Sequence, residues 1–155
     1  MRSKMRLRAL IVAGFLCVLP AVASAQAFGV RAGASSDPDQ LYLGAHILSG
    51  PVAGRVHFRP NVELGLGDDL TLVAVNMEFV YQYPFRRSQW SLIAGGGPAA
   101  NVFVWDNGPG HGDDSDVRAG INALLGVSHR DGFFVEVKLG FIDSPAVKLG
   151  IGFTF

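Results

Sequence analysis

Three groups of side chains in this sequence have the types and spacing for chemistry. Asp106, His111, Asp113, Asp114 and Asp116 crowd one short stretch, and carboxylates so placed could take Ca²⁺ or Mg²⁺, hard cations that prefer oxygen ligands. Their spacing matches no EF-hand and Asp is a common turn residue, so a solvated loop is expected there. Ser128, His129 and Glu136 offer a nucleophile, a base and an orienting carboxylate for acyl hydrolysis. Adjacent residues of an extended strand point to opposite faces, however, so Ser128 and His129 are badly placed to share a proton, and no enzyme is expected. Arg55, His57 and Arg59 alternate along one face and could hold an anion; pairing with glutamates of neighbouring strands is the simpler expectation. No catalytic, metal-binding or cofactor-binding residue is assigned, and no cofactor is expected.

All three groups lie in or between runs of period two, the mark of strands with one apolar and one polar face. Phe28 to Ser35 alternates and ends at Ser36-Asp37-Pro38-Asp39. Leu41 to Ile47 alternates and is expected to turn at Ser49-Gly50-Pro51. The third run sets Val56, Phe58, Pro60, Val62, Leu64 and Leu66 against Arg55, His57, Arg59, Asn61, Glu63 and Gly65. Its Pro60, which has no N–H for a ladder, should mark a bulge or an edge. Thr71 to Phe85 follows the turn Gly67-Asp68-Asp69, and its β-branched content favours a strand over a helix. Arg86 to Gln89 forms a basic turn. Trp90 to Val104 carries Gly95-Gly96-Gly97-Pro98 at its middle, and Trp105 to Asp116 reads as a loop. Val117 to Ser128 and Phe133 to Phe141 flank a tight turn at His129-Arg130-Asp131-Gly132. Ile142 to Pro145 then leads to Ala146–Phe155, where Val147, Leu149, Ile151, Phe153 and Phe155 alternate with Lys148, Gly150, Gly152 and Thr154. The expectation is an all-β meander of eight antiparallel strands joined by short turns.

Residues 1–25 are of another kind. Arg2, Lys4, Arg6 and Arg8 precede an apolar run from Ala9 to Leu19, and Ala23-Ser24-Ala25 follows. This is the pattern of a secretory signal peptide cleaved before Gln26, and the apolar run is too short to span a bilayer as a helix. Cys17 is the sole cysteine, so processing would remove every thiol and with it disulfides, zinc–thiolate sites and cysteine nucleophiles. Four of the 13 basic residues and none of the 13 acidic ones precede Gln26, leaving a net charge of −4; nucleic acid is not an expected partner. Residues 26–155 are the length of one domain, and no further domain is expected after the last strand.

The closing strand, alternating and ending on Phe155, resembles that of bacterial outer-membrane β-barrels, which the barrel-assembly machinery recognises by a terminal Phe. Gly95-Gly96-Gly97 resembles the glycine-rich mid-barrel strand of the same family. Over residues 26–155 the resemblance is to the small OmpA/OmpX-type transmembrane barrels. It implies an eight-stranded up-and-down barrel in the outer membrane, both termini periplasmic, monomeric, with lipid, lipopolysaccharide and the assembly machinery as partners. Some barrels of this membrane modify lipid A, but their His-x-Ser pattern is not present here, and Ser128 and His129 fall at the opposite end.

Alternation alone does not say which face points outward, since a soluble lipocalin-like barrel has the same period with its apolar face inward. The polar face favours the membrane, being rich in glycine (Gly44, Gly65, Gly95, Gly97, Gly120, Gly126, Gly140, Gly150, Gly152) and carrying Glu63, Glu78 and Glu136. The turns sort by charge: Asp37, Asp39, Asp68, Asp69, Asp106, Asp113, Asp114, Asp116 and Asp143 fall at one end, and Arg86, Arg87 and Arg130 at the end with the termini, where Asp131 is the sole aspartate. Phe28, Tyr83, Phe85, Trp90, Phe133, Phe153 and Phe155 gather at that second end as an interfacial girdle would. Arg31, Arg55, Arg59, Arg118, Lys138 and Lys148, with His46 and His57, should then fill the lumen beside the glutamates, Arg59 against Glu78 if Asp68-Asp69 centres its hairpin. Eight strands leave room for side chains and no pore. The expected role is structural or interactive in the envelope; a lipid A acyl hydrolase and a soluble ligand-binding barrel are the alternatives.

Overall fold

The computed structural model describes residues 26–105 and 114–155, and among these every regular element is a strand. The strands are β1 (Ala27–Ser36), β2 (Gln40–Leu48), β3 (Pro51–Ala53), β4 (Val56–Leu66), β5 (Leu70–Pro84), β6 (Trp90–Trp105), β7 (Asp114–His129), β8 (Phe133–Phe141) and β9 (Val147–Thr154). All neighbours are antiparallel in the order β2-β1-β9-β8-β7-β6-β5-β4-β3, and β2 also pairs with β4, closing a barrel of eight. Closure leaves the sheet without a free edge along its girth. β3 is the ninth piece, a continuation of β2 beyond the break at Ser49-Gly50, with a register shift of its own between Pro51 and Ala53.

That continuation corrects the expected turn at Ser49-Gly50-Pro51. The chain runs on through β3 and reverses at Gly54-Arg55, where Gly54 supplies a positive φ of 56°. Ser49 remains in register as a bridge, its N–H donating to Phe58 O at 2.9 Å and its hydroxyl accepting from Phe58 N at 2.9 Å. Pro60 sits where expected, since the β2–β4 ladder stops at His46↔Asn61, one residue short of it. Pro98 does the same in β6: the β5–β6 ladder breaks between Asn76↔Ala99 and Phe79↔Gly96. Beside that break Gly97 has no room for a side chain, because a Cβ would run into the carbonyl oxygen of Met77.

The loop expected at Trp105–Asp116 is also shorter. β6 and β7 stay paired to Trp105↔Asp114, whereas β8 meets β7 only from Ile121↔Phe141 downward, so this hairpin overtops its neighbour. Asp106, His111 and Asp113 lie outside the described residues. The turn at His129–Gly132 forms as expected, closed by Gly132 N–H to His129 O at 3.0 Å with Gly132 at φ 108°.

The burial of side chains is inverted relative to a water-soluble barrel. Leu41, Leu43, Leu66, Phe79, Ile121, Leu125, Leu149 and Ile151 are exposed on the outer surface, Leu41 by 71%. Arg31, Glu63, Glu78, Glu136 and Lys138 are buried in the lumen, Glu78 completely. Among the buried apolar residues Val80, Ile93 and Leu124 pack together as one small cluster, while Leu72, Phe103 and Phe134 are buried apart from it. At the end with the termini, Phe28 stacks on Phe155 at 6.5 Å, Phe153 lies 5.3 Å from Phe155 and Trp90 6.4 Å from Phe133, so aromatics of the expected girdle gather there in two groups.

Candidate functional site: the charged lumen

Five strands deliver the luminal charges: β1 brings Arg31, β4 Arg59 and Glu63, β5 Glu78, β8 Glu136 and Lys138, and β9 Lys148. Period two points all seven inward, and the narrow barrel lets β4 and β5 reach β8 and β9 across the bore. Arg59 pairs with Glu78 in register, and its Nε and Nη2 donate to Glu78 Oε2 at 3.1 and 2.9 Å. The same Nη2 donates to Glu136 Oε2 at 2.7 Å. Arg31 Nη1 donates to Glu136 Oε1 at 2.8 Å and reaches Glu63 Oε1 at 3.4 Å. Lys138 Nζ lies 2.7 Å from Glu63 Oε1 and 2.6 Å from Glu78 Oε1, and Lys148 Nζ 2.7 Å from Glu63 Oε2. Each carboxylate therefore meets at least two cations, which is how charges withdrawn from water offset their desolvation.

Amides continue the network toward the aspartate end. Asn122 Nδ2 donates to Asn76 Oδ1 and Asn76 Nδ2 to Asn61 Oδ1, both at 2.8 Å, and Asn61 Nδ2 donates to Arg59 O at 3.3 Å. The three asparagines fall on the polar faces of their strands in the sequence, but their mutual contacts depend on register across three strands. Two aromatic rings share the same interior. Tyr42 lies beneath Lys148 Nζ at 5.2 Å, and Phe134 is flanked by the Arg31 and Arg59 guanidiniums at 5.5 and 5.6 Å. Glycines make room for them: a Cβ at Gly150 would meet the Tyr42 hydroxyl, and one at Gly152 the Phe134 ring.

The bore is packed with ions and the outer wall with leucine, valine and phenylalanine. This is the fold of the small eight-stranded outer-membrane barrels. It is similar to the N-terminal β-barrel domain of Pseudomonas aeruginosa OprF, with a TM-score of 0.60 and 14% identity over 83% of this chain and 97% of that one. It is likewise similar to Neisserial surface protein A (NspA), with a TM-score of 0.62 and 16% identity over 83% of this chain and 93% of that one. No family model and no curated protein matches the chain.

Two expected luminal cations are elsewhere. Arg55 lies in the β3–β4 turn with its guanidinium 5.5 Å from the Tyr83 ring, because the reversal moves from Ser49-Gly50-Pro51 to Gly54-Arg55. Arg118 is above the packed bore, since β7 begins at Asp114 and lifts it to the rim. There its Nε donates to Asp116 Oδ2 at 2.8 Å and its Nη1 to Asp143 Oδ1 at 3.4 Å, while its guanidinium lies 5.2 Å from the Phe103 ring. The stripe Arg55, His57, Arg59 is thus divided, with His57 Nδ1 held 2.8 Å from Ser49 O and Arg59 alone in the ion network. His46 is buried in the lumen as expected, its Nε2 2.9 Å from Thr154 Oγ1.

The hydrolytic trio does not assemble. Glu136 is committed to Arg31 and Arg59, while His129 Nδ1 is 2.6 Å from Asp131 Oδ1 and its ring 4.8 Å from Trp90. That hydrogen bond holds the Asp131 carboxyl below its ordinary pKa. Asp116, a candidate cation ligand, is engaged by Arg118. Among the described residues no cluster of three or more His, Cys, Asp or Glu could hold a metal. At the end with the termini the bore opens into a cavity of about 530 Å³, whose walls include Arg59, Gln82, Ser91, Ser128 and Phe134.

Proposed function

We propose that this protein is an integral outer-membrane barrel with a structural or interaction role in the envelope, its lumen plugged by the ion network and not an open pore. The observation that carries the reading is the inversion of polarity: exposed apolar side chains around the wall, with four cations and three carboxylates buried within. A surface of that kind is stable against hydrocarbon and not against water. Residues 1–25 act as a signal peptide that carries the chain out of the cytoplasm, and both termini remain periplasmic. The closing strand with Phe155 is the part read by the barrel-assembly machinery, and lipopolysaccharide and phospholipid are the surroundings of a monomer. The test is gel mobility in SDS: the folded barrel runs faster unheated than after boiling, and a single band position under both conditions removes the proposal. Planar bilayers with the folded protein should carry no steady channel current, and a stable open conductance overturns the plugged lumen.

A further inference from the structure

The turns at the end with the termini carry an arc of cations. Arg55, Arg86, Arg87 and Arg130 are all exposed, and none of them makes a salt bridge among the described residues. The three turns that bear them are neighbours. Gln82 N–H donates to Arg55 O at 3.0 Å, which ties the β3–β4 turn to β5, and Arg130 N–H donates to Gln89 O at 2.8 Å, which ties the β7–β8 turn to the β5–β6 turn. Asp131 is the one acidic side chain in these turns, and its carboxylate is taken by His129 Nδ1 at 2.6 Å. Four guanidiniums against that single carboxylate leave the arc positive.

Aromatic side chains fix the depth of this arc. The Arg55 guanidinium lies 5.5 Å from the ring of Tyr83, which is 49% exposed on the outer wall, so that cation sits against the wall and not in the bore. Phe85, Trp90 and Phe133 are exposed beside the other two turns. Such rings settle at the level of the lipid headgroups, where the phosphates are. A guanidinium fork matches two phosphate oxygens and gives up its hydration more readily than an ammonium does. We propose that the arc is a binding site for anionic phospholipid of the leaflet at that end, with the phosphodiester oxygens accepting from Arg55, Arg86, Arg87 and Arg130. A zwitterionic headgroup brings its own ammonium up to the same cations, and an anionic one does not, so the site selects by charge. The proposal rests on the outer-membrane reading above and deepens it, from lipid as surroundings to lipid chosen at named residues.

The test is quenching of tryptophan fluorescence by brominated acyl chains at low ionic strength. The vesicles are phosphatidylcholine mixed with either dibrominated phosphatidylglycerol or dibrominated phosphatidylethanolamine. Trp90 and Trp105 are the two tryptophans, so Trp105→Phe leaves Trp90, beside the arginines, as the sole reporter. Phosphatidylglycerol should be enriched around Trp90 about fivefold over phosphatidylethanolamine, the worth of one basic residue beside an anionic surface. The triple substitution Arg55→Gln/Arg86→Gln/Arg130→Gln changes exposed turn residues, leaves the lumen untouched and should abolish the enrichment. Equal quenching by the two lipids overturns the site, as does enrichment that survives the triple substitution. Soluble polyglutamate held by the arginines without any selection of lipid assigns the arc to an acidic protein and overturns the lipid as its occupant. The SDS shift of each sample keeps the two readings apart: a barrel that shifts on heating without selecting lipid ends the site alone, and absence of the shift ends the outer-membrane reading with it.

Discussion

Glu78 shows how a single side chain can hold several strands together. It is completely buried and lies between Arg59 of the neighbouring strand and Lys138 from across the bore. Glu78→Gln removes the charge and leaves both cations short of a partner, so it should cost about 3–5 kcal/mol, read as a lower urea midpoint in detergent. The Arg59–Glu78 pair was legible in the sequence because a two-residue turn at Asp68-Asp69 fixes the register of its hairpin. The partners from β8 and β9 were not, since contacts across a bore depend on barrel diameter and strand tilt, which alternation does not encode. Asp131 offers a test at the exposed rim. Its carboxyl is held low by His129, so the contribution of that contact is complete above the ordinary carboxylate range and is lost as pH falls through the depressed value. His129→Ala should move the Asp131 titration upward, as followed by carboxyl ¹³C NMR.

At the level of the strand, β9 closes the barrel and, under the proposed function, is also the part read during assembly. Its backbone closes the barrel against β1 from Gly29↔Thr154 to Ser36↔Val147, and Phe155 N donates to Phe28 O at 2.7 Å. The Phe155 ring itself is 72% exposed. Phe155→Ala keeps the backbone bond, so the urea midpoint of the folded protein should change little while the amount assembled in cells falls; an equal fall in both measurements points to a purely structural ring. The eight strands of the barrel were readable because the period survives even where glycine interrupts it, whereas the short β3 was not. Strand ends were harder. Ser49-Gly50-Pro51 has the composition of a turn, yet Ser49 bridges to Phe58 and the chain continues to Gly54, whose left-handed backbone is the true reversal. Arg55 and Arg118 were misplaced for the same reason, as both lie beside strand ends that composition locates poorly.

Across the whole molecule, the turns sort by charge. Arg55, Arg86, Arg87 and Arg130 are at the end with the termini, where Asp131 is the exception, and Asp37, Asp39, Asp68, Asp69 and Asp143 are at the other, where Arg118 joins them from β7. Cys17 is the only cysteine in the sequence, so single cysteines can report orientation once residues 1–25 are removed. Asp68→Cys should react with a membrane-impermeant maleimide on intact cells and Arg86→Cys only after lysis; the reverse labelling inverts the proposed topology. The fold class and the outward apolar face were legible because both follow from one period and one sorting of charge, whereas the cavity behind Arg59 follows from side-chain volumes in three dimensions. The sorting of turns also bears on the direction of travel. A barrel entering from the side where its termini stay must push every turn aspartate but Asp131 through the bilayer and can leave the guanidiniums of its turns behind. Once the aspartates are hydrated on the far side, going back means stripping that water again, so the passage works as a one-way valve and the finished barrel has no easy route out.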